Sequence, residues 1–152
     1  MFRDMRRKDR MMNYDDTIKA LRNGIDGMFV TISENEYPYA VPVNYIYYDE
    51  KIYFHSAKVG HKIDNLKVSD KVSFTVVTRN EVLAKEFSTD FQSVIVFGKA
   101  RLVEPSKGLL MEIIKKYSSM FMKEGKAYVD KSFASTQLVE ITIDHITGKE
   151  RK

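Results

Sequence analysis

Short extended segments recur along this chain, and tight turns join them. The clearest example is the stretch Pro38–Val77, PYAVPVNYIYYDEKIYFHSAKVGHKIDNLKVSDKVSFTVV. Apolar and aromatic side chains alternate with other residues along 39–48, which is the period of a half-buried strand. Residues 49–51 interrupt this alternation as a hairpin turn does, and residues 52–56 resume an extended pattern. Segments joined in this way pair antiparallel, so the pattern favours a mainly β fold.

The whole chain contains six segments of this kind. We predict strands at residues 27–32, 38–48, 51–56, 71–78, 93–103 and 138–143, with a bulge or bend at Gly98. Helices do not alternate regularly with these segments, which argues against a βαβ fold. Closure into a barrel removes the exposed edges of strands with apolar residues on both faces, so a closed or half-closed antiparallel barrel is the predicted architecture.

Helices are predicted at three places: Asn13–Asn23, a short helix from about His61, and a longer amphipathic helix opened by Pro105 and Ser106. Another turn or short helix is predicted around 120–122, with Gly125 ending it. Residues 79–91 carry charge throughout and show no strong period, which predicts a loop.

Composition limits the classes of protein that fit this pattern. The 152 residues suit one domain spanning 1–152, and the absence of Cys excludes disulfides, thiolate nucleophiles and Cys-ligated metals. The charged start and the lack of a long apolar run predict no secretory signal and no membrane span, so we expect a cytoplasmic location. The net charge of +4 is compatible with an anionic partner without identifying it.

Hydrogen-bond donors and cations gather at the end of the third predicted strand. Within eight residues the chain places, around Gly60, the side chains of His55, Ser56, Lys58, His61 and Lys62. Such groups suit a phosphate, and a helix that begins near His61 would add free N–H groups and its dipole. No catalytic triad, paired-acid site or metal site competes, because no acid is spaced to complete a metal site with these histidines.

Four segments are notable for their sequence and their order along the chain: Met5–Arg10 (MRRKDR), the stretch Pro38–Val77, Gln92–Ala100 (QSVIVFGKA) and Ile146–Lys149 (ITGK). Together they resemble the FMN-binding split-barrel family related to pyridoxamine 5′-phosphate oxidase, and within it the 5-nitroimidazole-resistance (Nim-type) flavoproteins. This resemblance covers nearly the whole chain. It implies a six-stranded antiparallel split β-barrel with flanking helices, assembled as a homodimer with FMN at the subunit interface.

The resemblance also implies roles for individual residues. The phosphate would be held by His55, Ser56, His61 and Lys62, with His61 and Lys62 standing where the oxidases carry an Arg-Lys pair. The flavin ring would lie along Pro42, Val43 and Asn44, with Ala57 nearby and Ser93 at the position of a glutamine that lies near the ring in those oxidases.

Five of these residues also have a purely structural interpretation. Lys62 and His61 could be exposed helix residues, and His55 could bind phosphate, contact substrate or close the strand end. Pro42 could mark an edge strand or bulge, and Asn44 could serve a turn or an interface.

Three functions remain open at this point. The first is an FMN-dependent oxidoreductase that takes electrons from a reduced donor, such as a nicotinamide nucleotide, and passes them to a small aromatic or nitro-aromatic acceptor. The second is a non-catalytic flavin-binding or haem-handling protein on the same barrel. The third is a nucleic-acid-binding barrel, which is disfavoured because the cations cluster at the phosphate segment and the tails instead of interleaving with strand aromatics.

Overall fold

The computed structural model describes residues 1–151. Within this range the strands are β1 Gly27–Ile32, β2 Pro38–Val43, β3 Ile46–Tyr48, β4 Lys51–Ala57, β5 Lys71–Leu83, β6 Ser88–Val103 and β7 Thr136–Arg151. The α-helices are α1 Tyr14–Asn23, α2 His61–Val68, α3 Lys107–Tyr117 and α4 Met122–Ser132. Short 3₁₀ turns occur at Lys8–Arg10, Ala84–Glu86, Ser119–Phe121 and Phe133–Ser135.

The seven strands form one antiparallel sheet in the order β2-β1-β5-β6-β7-β4-β3. The two strands at opposite ends of this order, β2 and β3, are separated in sequence only by Asn44 and Tyr45. Because three residue steps span at most about 11 Å, the sheet must curl until its two edges approach each other. The fold is therefore the predicted mainly β, antiparallel split barrel with flanking helices.

The predicted number of six strands is wrong by one, because the segment 38–48 forms two strands. The break falls at Tyr45, whose N–H donates to Tyr117 Oη at 3.0 Å and whose carbonyl accepts from Lys116 Nζ at 2.9 Å. Backbone groups bonded to α3 side chains are not available to a neighbouring strand. The alternation of residue types cannot reveal this, since the partners lie about 70 residues further along the chain.

The barrel encloses an aromatic core. Phe29 and Phe54 meet edge to face with ring centroids 4.8 Å apart, and Tyr45 meets Phe74 in the same manner at 5.0 Å. All four rings are fully buried. A second cluster covers the outer side of β3, β4 and β7, where α3 and α4 contribute Leu110, Ile113 and Val129 against Ile46, Tyr53 and Leu138.

Residues 79–91 are not a loop, and this prediction is wrong. β5 and β6 continue through most of the segment as a hairpin that ends in the 3₁₀ turn, with Phe87 in the left-handed conformation at φ 50°. Its charges form cross-strand ion pairs, Arg79 with Glu150 at 3.6 Å and Arg151 with Asp90 at 3.0 Å. A charged ribbon exposed to solvent lacks the apolar alternation by which a strand is recognised in sequence.

The other local predictions have mixed outcomes. Asn13 caps α1 by accepting the Asp16 N–H, Ser106 caps α3, and the register shifts at Gly98, as expected. Gly125 does not end a helix but lies inside α4, where a Cβ would fall 2.3 Å from Ile114. Here glycine permits α3 and α4 to approach each other, which local sequence cannot indicate.

One buried carboxylate, Glu140, is fully compensated. It is 6% exposed, and it accepts from Tyr53 Oη and from Arg101 Nε, each at 2.9 Å. Burial raises the pKa of Glu140, but the hydrogen bonds from Arg101 and Tyr53 outweigh this effect, so the pKa is lowered from the ordinary value of 4.5. The folded state thus favours the ionised form of this side chain.

Replacing Glu140 with Gln is expected to lower the free energy of unfolding by about 1–3 kcal/mol at neutral pH. Tyr53 and Arg101 each donate to a different carboxylate oxygen, whereas an amide has only one oxygen that accepts. In the wild type, the unfolded chain binds the proton of this group more readily, so stability from Glu140 is present above pH about 4.5 and is lost as the pH falls through the lowered pKa. Urea unfolding as a function of pH should show a smaller acid loss in Glu140→Gln. An equal loss in Glu140→Gln, or the same cost for the exposed Glu81→Gln, would contradict this assignment.

Among residues 1–151, no helix is both long and apolar enough to cross a membrane.

Candidate functional site

The barrel is split between β2 and β4. β3 pairs with β4 through Ile46–Tyr53, Tyr47–Ile52 and Tyr48–Lys51, and the ladder stops there. Beyond Tyr53, β4 pairs with β7 only, while β2 pairs with β1 only. Continuing the β3–β4 register would place Asn44 opposite His55 and Pro42 opposite Ala57. Of the residues predicted for the flavin site, Pro42, Asn44, His55 and Ala57 therefore lie along the two strand segments that part from each other.

The N-terminus of α2 follows directly after β4. Gly60 precedes the helix with φ 145°, a conformation that favours glycine, and nothing lies within 4 Å of where its Cβ would be. The Asp64 N–H makes the first bond, to the Gly60 carbonyl, so the N–H groups of residues 61–63 have no acceptor within the helix. This end of α2 offers donors and a positive dipole to an anion in open space.

Lys62 is the cation at this helix end. Its side chain is partly buried, and it makes no hydrogen bond or ion pair with any residue in the described range 1–151. On β4, the Ser56 hydroxyl donates to the Ala57 carbonyl at 2.8 Å. An ammonium without a partner, in the same helical turn as free N–H groups, can donate to the oxygens of a doubly charged phosphate.

His61 is oriented by residues that the sequence did not single out. Its Nε2 lies 2.9 Å from Ser33 Oγ, and its ring lies 3.9 Å from the ring of Tyr39, centroid to centroid. Asn65, buried in α2, donates to Ser33 Oγ at 3.2 Å and to Thr31 Oγ1 at 2.9 Å. One nitrogen of His61 is therefore engaged by the β1–β2 hairpin, and Nδ1 remains for a ligand.

A cavity of about 560 Å³ adjoins His61 on the side of this hairpin. Its lining includes two carboxylates, Glu34 and Asp64. Carboxylates repel a phosphate, so an anion at the α2 N-terminus is expected on the side of Lys62 and Ser56 and not in this cavity.

His55 lies two residues before the end of β4, opposite Leu138. Although the residue as a whole is exposed, partial burial of its imidazole lowers the pKa of His55 from the ordinary value of 6.5. The ring is thus neutral at neutral pH and can donate one N–H without adding charge. His55 therefore adds no positive charge to that of Lys62 at the start of α2.

Pro42 and Ser93 share the outer face of the sheet. One cross-strand row contains Pro42, Met28, Thr75 and Ile95. Ser93 lies two residues before Ile95 on β6 and points to the same side. Val43, in contrast, packs its side chain against the barrel core, so only its backbone can face a ligand on the outside.

This outer face is apolar and open. At least 40% of the surface of Met28, Val77, Ile95 and Phe97 is exposed. The segment 1–5 crosses part of the face, and the ring of Phe2 stacks on Phe97 at 5.5 Å and on His145 at 4.9 Å. Between this segment and the sheet, a cavity of about 410 Å³ is bordered by Ser93 and Lys149.

Solved structures with the same fold come from several bacteria. A conserved hypothetical protein from Mycobacterium tuberculosis is 19% identical, with 97% of this chain and 90% of that chain covered at a TM-score of 0.82. A candidate 5-nitroimidazole antibiotic resistance protein from Bacteroides thetaiotaomicron is 20% identical (91% and 85% covered, TM-score 0.68). A FAD-binding protein from Mesorhizobium loti is 21% identical (94% and 98% covered, TM-score 0.66).

Membership of a family follows from the sequence itself. The family model described as pyridoxamine 5′-phosphate oxidase matches residues 15–150. The chain belongs to the pyridoxamine 5′-phosphate oxidase family. No curated protein matches the sequence.

In this member of the pyridoxamine 5′-phosphate oxidase family, the predicted site residues lie on two surfaces. Asn44, His55, Ser56, Ala57, His61 and Lys62 lie along the split or at the α2 N-terminus next to it. Ser93 lies on the outer face, which it shares with Pro42. Within residues 1–151, no three His, Asp or Glu side chains are grouped so that they could hold a metal ion.

The sequence did not reveal the residues that hold the candidate site in position. Ser33 and Tyr39 position His61, while Lys116 and Tyr117 fix the backbone at Tyr45. All four act across long sequence separations. An isolated serine in a turn or a lysine late in a helix carries no signal of such a role.

Proposed function

We propose that this protein binds FMN and acts as an oxidoreductase on a small aromatic or nitro-aromatic acceptor. The observation that carries the proposal is the partly buried, unpartnered Lys62 beside the free N–H groups of α2, at the edge of the split. The FMN phosphate bears nearly two negative charges. The N-terminal end of α2 offers cationic and neutral hydrogen-bond donors, and no carboxylate is paired with them.

Each residue has a definite task in this proposal. Lys62 supplies the charge, and the N–H groups of residues 61–63 supply directed bonds. The Ser56 hydroxyl turns from the Ala57 carbonyl toward the phosphate by rotation about one bond, and His61 donates through Nδ1 while Ser33 holds Nε2. Asn44 and the backbone of Pro42 and Val43 support the ring.

Flavin chemistry needs no protein nucleophile. When bound, FMN would carry the electrons between a reduced donor and the acceptor, and the protein would bind, orient and shield it. The residues of this chain therefore need only hold the cofactor and admit its reaction partners. In this proposal the electron donor is a reduced nicotinamide nucleotide.

The protein is proposed to act as a homodimer. The outer face around Met28, Val77 and Ile95 leaves apolar surface open, and faces of this kind mark interaction sites. Since Pro42 and Ser93 lie on that same face, a second copy packed there would cover a flavin ring lying between them. Light scattering of the FMN-loaded protein should give a mass of twice 17.7 kDa.

The test is a visible spectrum followed by anaerobic reduction. Purified protein should be yellow, or should bind added FMN, with flavin absorbance that decreases when reduced nicotinamide is added and returns when a nitro-aromatic acceptor is supplied. FAD belongs in the same titration, because the Mesorhizobium loti neighbour is a FAD-binding protein. A protein that binds neither flavin would refute the proposal.

A non-catalytic flavin-binding or haem-handling role predicts a different result. FMN would bind with the same dependence on Lys62, but reduced nicotinamide would not change the spectrum at a useful rate. The two arms of the experiment therefore separate binding from catalysis, which the fold alone does not do.

A further inference from the structure

A third cavity lies between the C-terminal end of α1, β3 and α3. It has a volume of about 340 Å³ and contains three cations, Arg22, Lys115 and Lys116, against a single carboxylate, Glu112. Cavities of this size accept small molecules. None of the residues assigned to the flavin lines it.

Lys116 is the innermost of the three cations. Its Nζ donates to the Tyr45 carbonyl at 2.9 Å and lies 4.0 Å from the centroid of the Tyr45 ring. Burial lowers the pKa of Lys116 from 10.5 to about 8. An ammonium has three donors, so further N–H groups remain for another acceptor.

These charges are not neutralised by the protein. Arg22 lies over the ring of Tyr47, 5.2 Å from its centroid, and no ion pair among residues 1–151 includes Arg22, Lys115 or Lys116. Glu112 is one helical turn before Lys115 and Lys116, yet it pairs with neither. Like charges held together without a counter-ion repel one another, which favours binding of an external anion.

We infer that this cavity is a second oxyanion site, which binds a doubly charged phosphate group through Arg22, Lys115 and Lys116. The three cations and one carboxylate of the lining leave a net charge of +2, which the two negative charges of the ligand would balance. Arg22 can present two parallel N–H groups to phosphate oxygens, while the lysines act as point charges. The cavity also borders Ile46, Tyr47 and Tyr48, against which the remainder of an organic phosphate can lie.

Two sources of such a phosphate are consistent with this chemistry: a free inorganic anion, or the phosphate of a nucleotide such as the nicotinamide electron donor. The site is inferred independently of FMN binding, since it shares no residue with the proposed phosphate anchor of FMN. Its failure and that of the proposed flavin function are therefore separate outcomes.

Calorimetric titration of the full-length protein with inorganic pyrophosphate tests the site. The double variant Arg22→Gln/Lys115→Gln is expected to weaken binding at least about tenfold, because two charge-assisted contacts are lost. The matched control is Lys123→Gln/Lys126→Gln, which removes the same charge from exposed positions on α4. Lys62→Ala should retain pyrophosphate binding in this cavity.

An NMR titration gives a readout at the site itself. In protein labelled at the lysine ε-carbons, pyrophosphate should raise the pKa of Lys116 toward 10.5 in the wild type and much less in the double variant. Competition by NADPH, with tighter binding than pyrophosphate, would identify a nucleotide as the source, and its failure to compete would identify a free anion. Binding weaker than about 1 mM, equal losses in the α4 control, or a loss confined to Lys62→Ala would each overturn the inference.

Discussion

Replacing Tyr45 with Ala is expected to lower the free energy of unfolding by about 3–5 kcal/mol, the range for removing a large aromatic side chain from a core. Tyr45 is fully buried, packs edge to face on Phe74, and donates its hydroxyl to the Leu21 carbonyl. The truncation would leave a cavity and an unpaired carbonyl at the end of α1. It would also remove the ring that faces Lys116.

The measurement is urea unfolding followed by circular dichroism. The matched control is Tyr37→Ala, because Tyr37 is 73% exposed and makes its hydrogen bonds through its own backbone N–H and C=O. This substitution should change the free energy of unfolding by no more than about 0.5 kcal/mol. Because whole domains are stable by only about 5–15 kcal/mol, a reduction of the expected size removes a large part of the total. A loss for Tyr45→Ala no greater than that for Tyr37→Ala would show that the junction between β2 and β3 does not depend on this side chain.

The second large effect concerns the proposed cofactor anchor. Lys62→Ala is expected to weaken FMN binding by about 1.5–3 kcal/mol, roughly 10- to 150-fold in Kd, which is the range for a hydrogen bond to a charged group. Stability of the protein without ligand should be nearly unchanged, because the Lys62 side chain makes no hydrogen bond or ion pair within residues 1–151. Fluorescence quenching of FMN on titration with protein measures the affinity.

Lys67→Ala provides the matched control for the same helix. Lys67 lies toward the C-terminal end of α2, and its ammonium is 4.0 Å from Asp64, so the substitution removes an equal charge away from the helix N-terminus. It should weaken FMN binding far less than Lys62→Ala. Equal effects would reduce the role of Lys62 to general electrostatic attraction, and unchanged affinity in both variants would remove α2 from the site.

Local pattern was sufficient for much of the fold. Alternation and turn residues located most of the strands. The hairpin between β3 and β4 turns at Asp49 and Glu50, where the φ values are 51° and 60°, and this is the place at which the apolar alternation is interrupted. The caps at Asn13 and Ser106 were also readable, because a capping oxygen acts within three residues. Such features depend only on neighbours in sequence.

The failures share a different cause. The break at Tyr45 depends on α3 side chains, and the position of Gly125 inside α4 depends on contact with Ile114. In the ribbon formed by residues 79–91, Arg79 and Asp90 pair with charged residues of β7. In each case the deciding partner is distant in sequence, so a one-dimensional pattern contains no trace of it.

The candidate site divides in the same way. The cluster from His55 to Lys62 is contiguous in sequence and could be recognised from residue types alone. The supports of His61, namely Ser33 and Tyr39, come from a hairpin more than 20 residues earlier and emerge only when the chain is folded. The charges around Lys116 likewise come together from α1 and α3.

The two-residue link through Asn44 and Tyr45 gives the barrel an uncommon kind of seam. Elsewhere neighbouring strands are joined by ladders of backbone bonds, but β2 and β4 are tied only through the covalent chain and the side chains that clamp it. Parting β2 and β4 would break no backbone bond between paired strands, but it would have to release the bonds that Lys116 and Tyr117 make to Tyr45. The side chains of α3 therefore hold the two sides of the seam at their present separation.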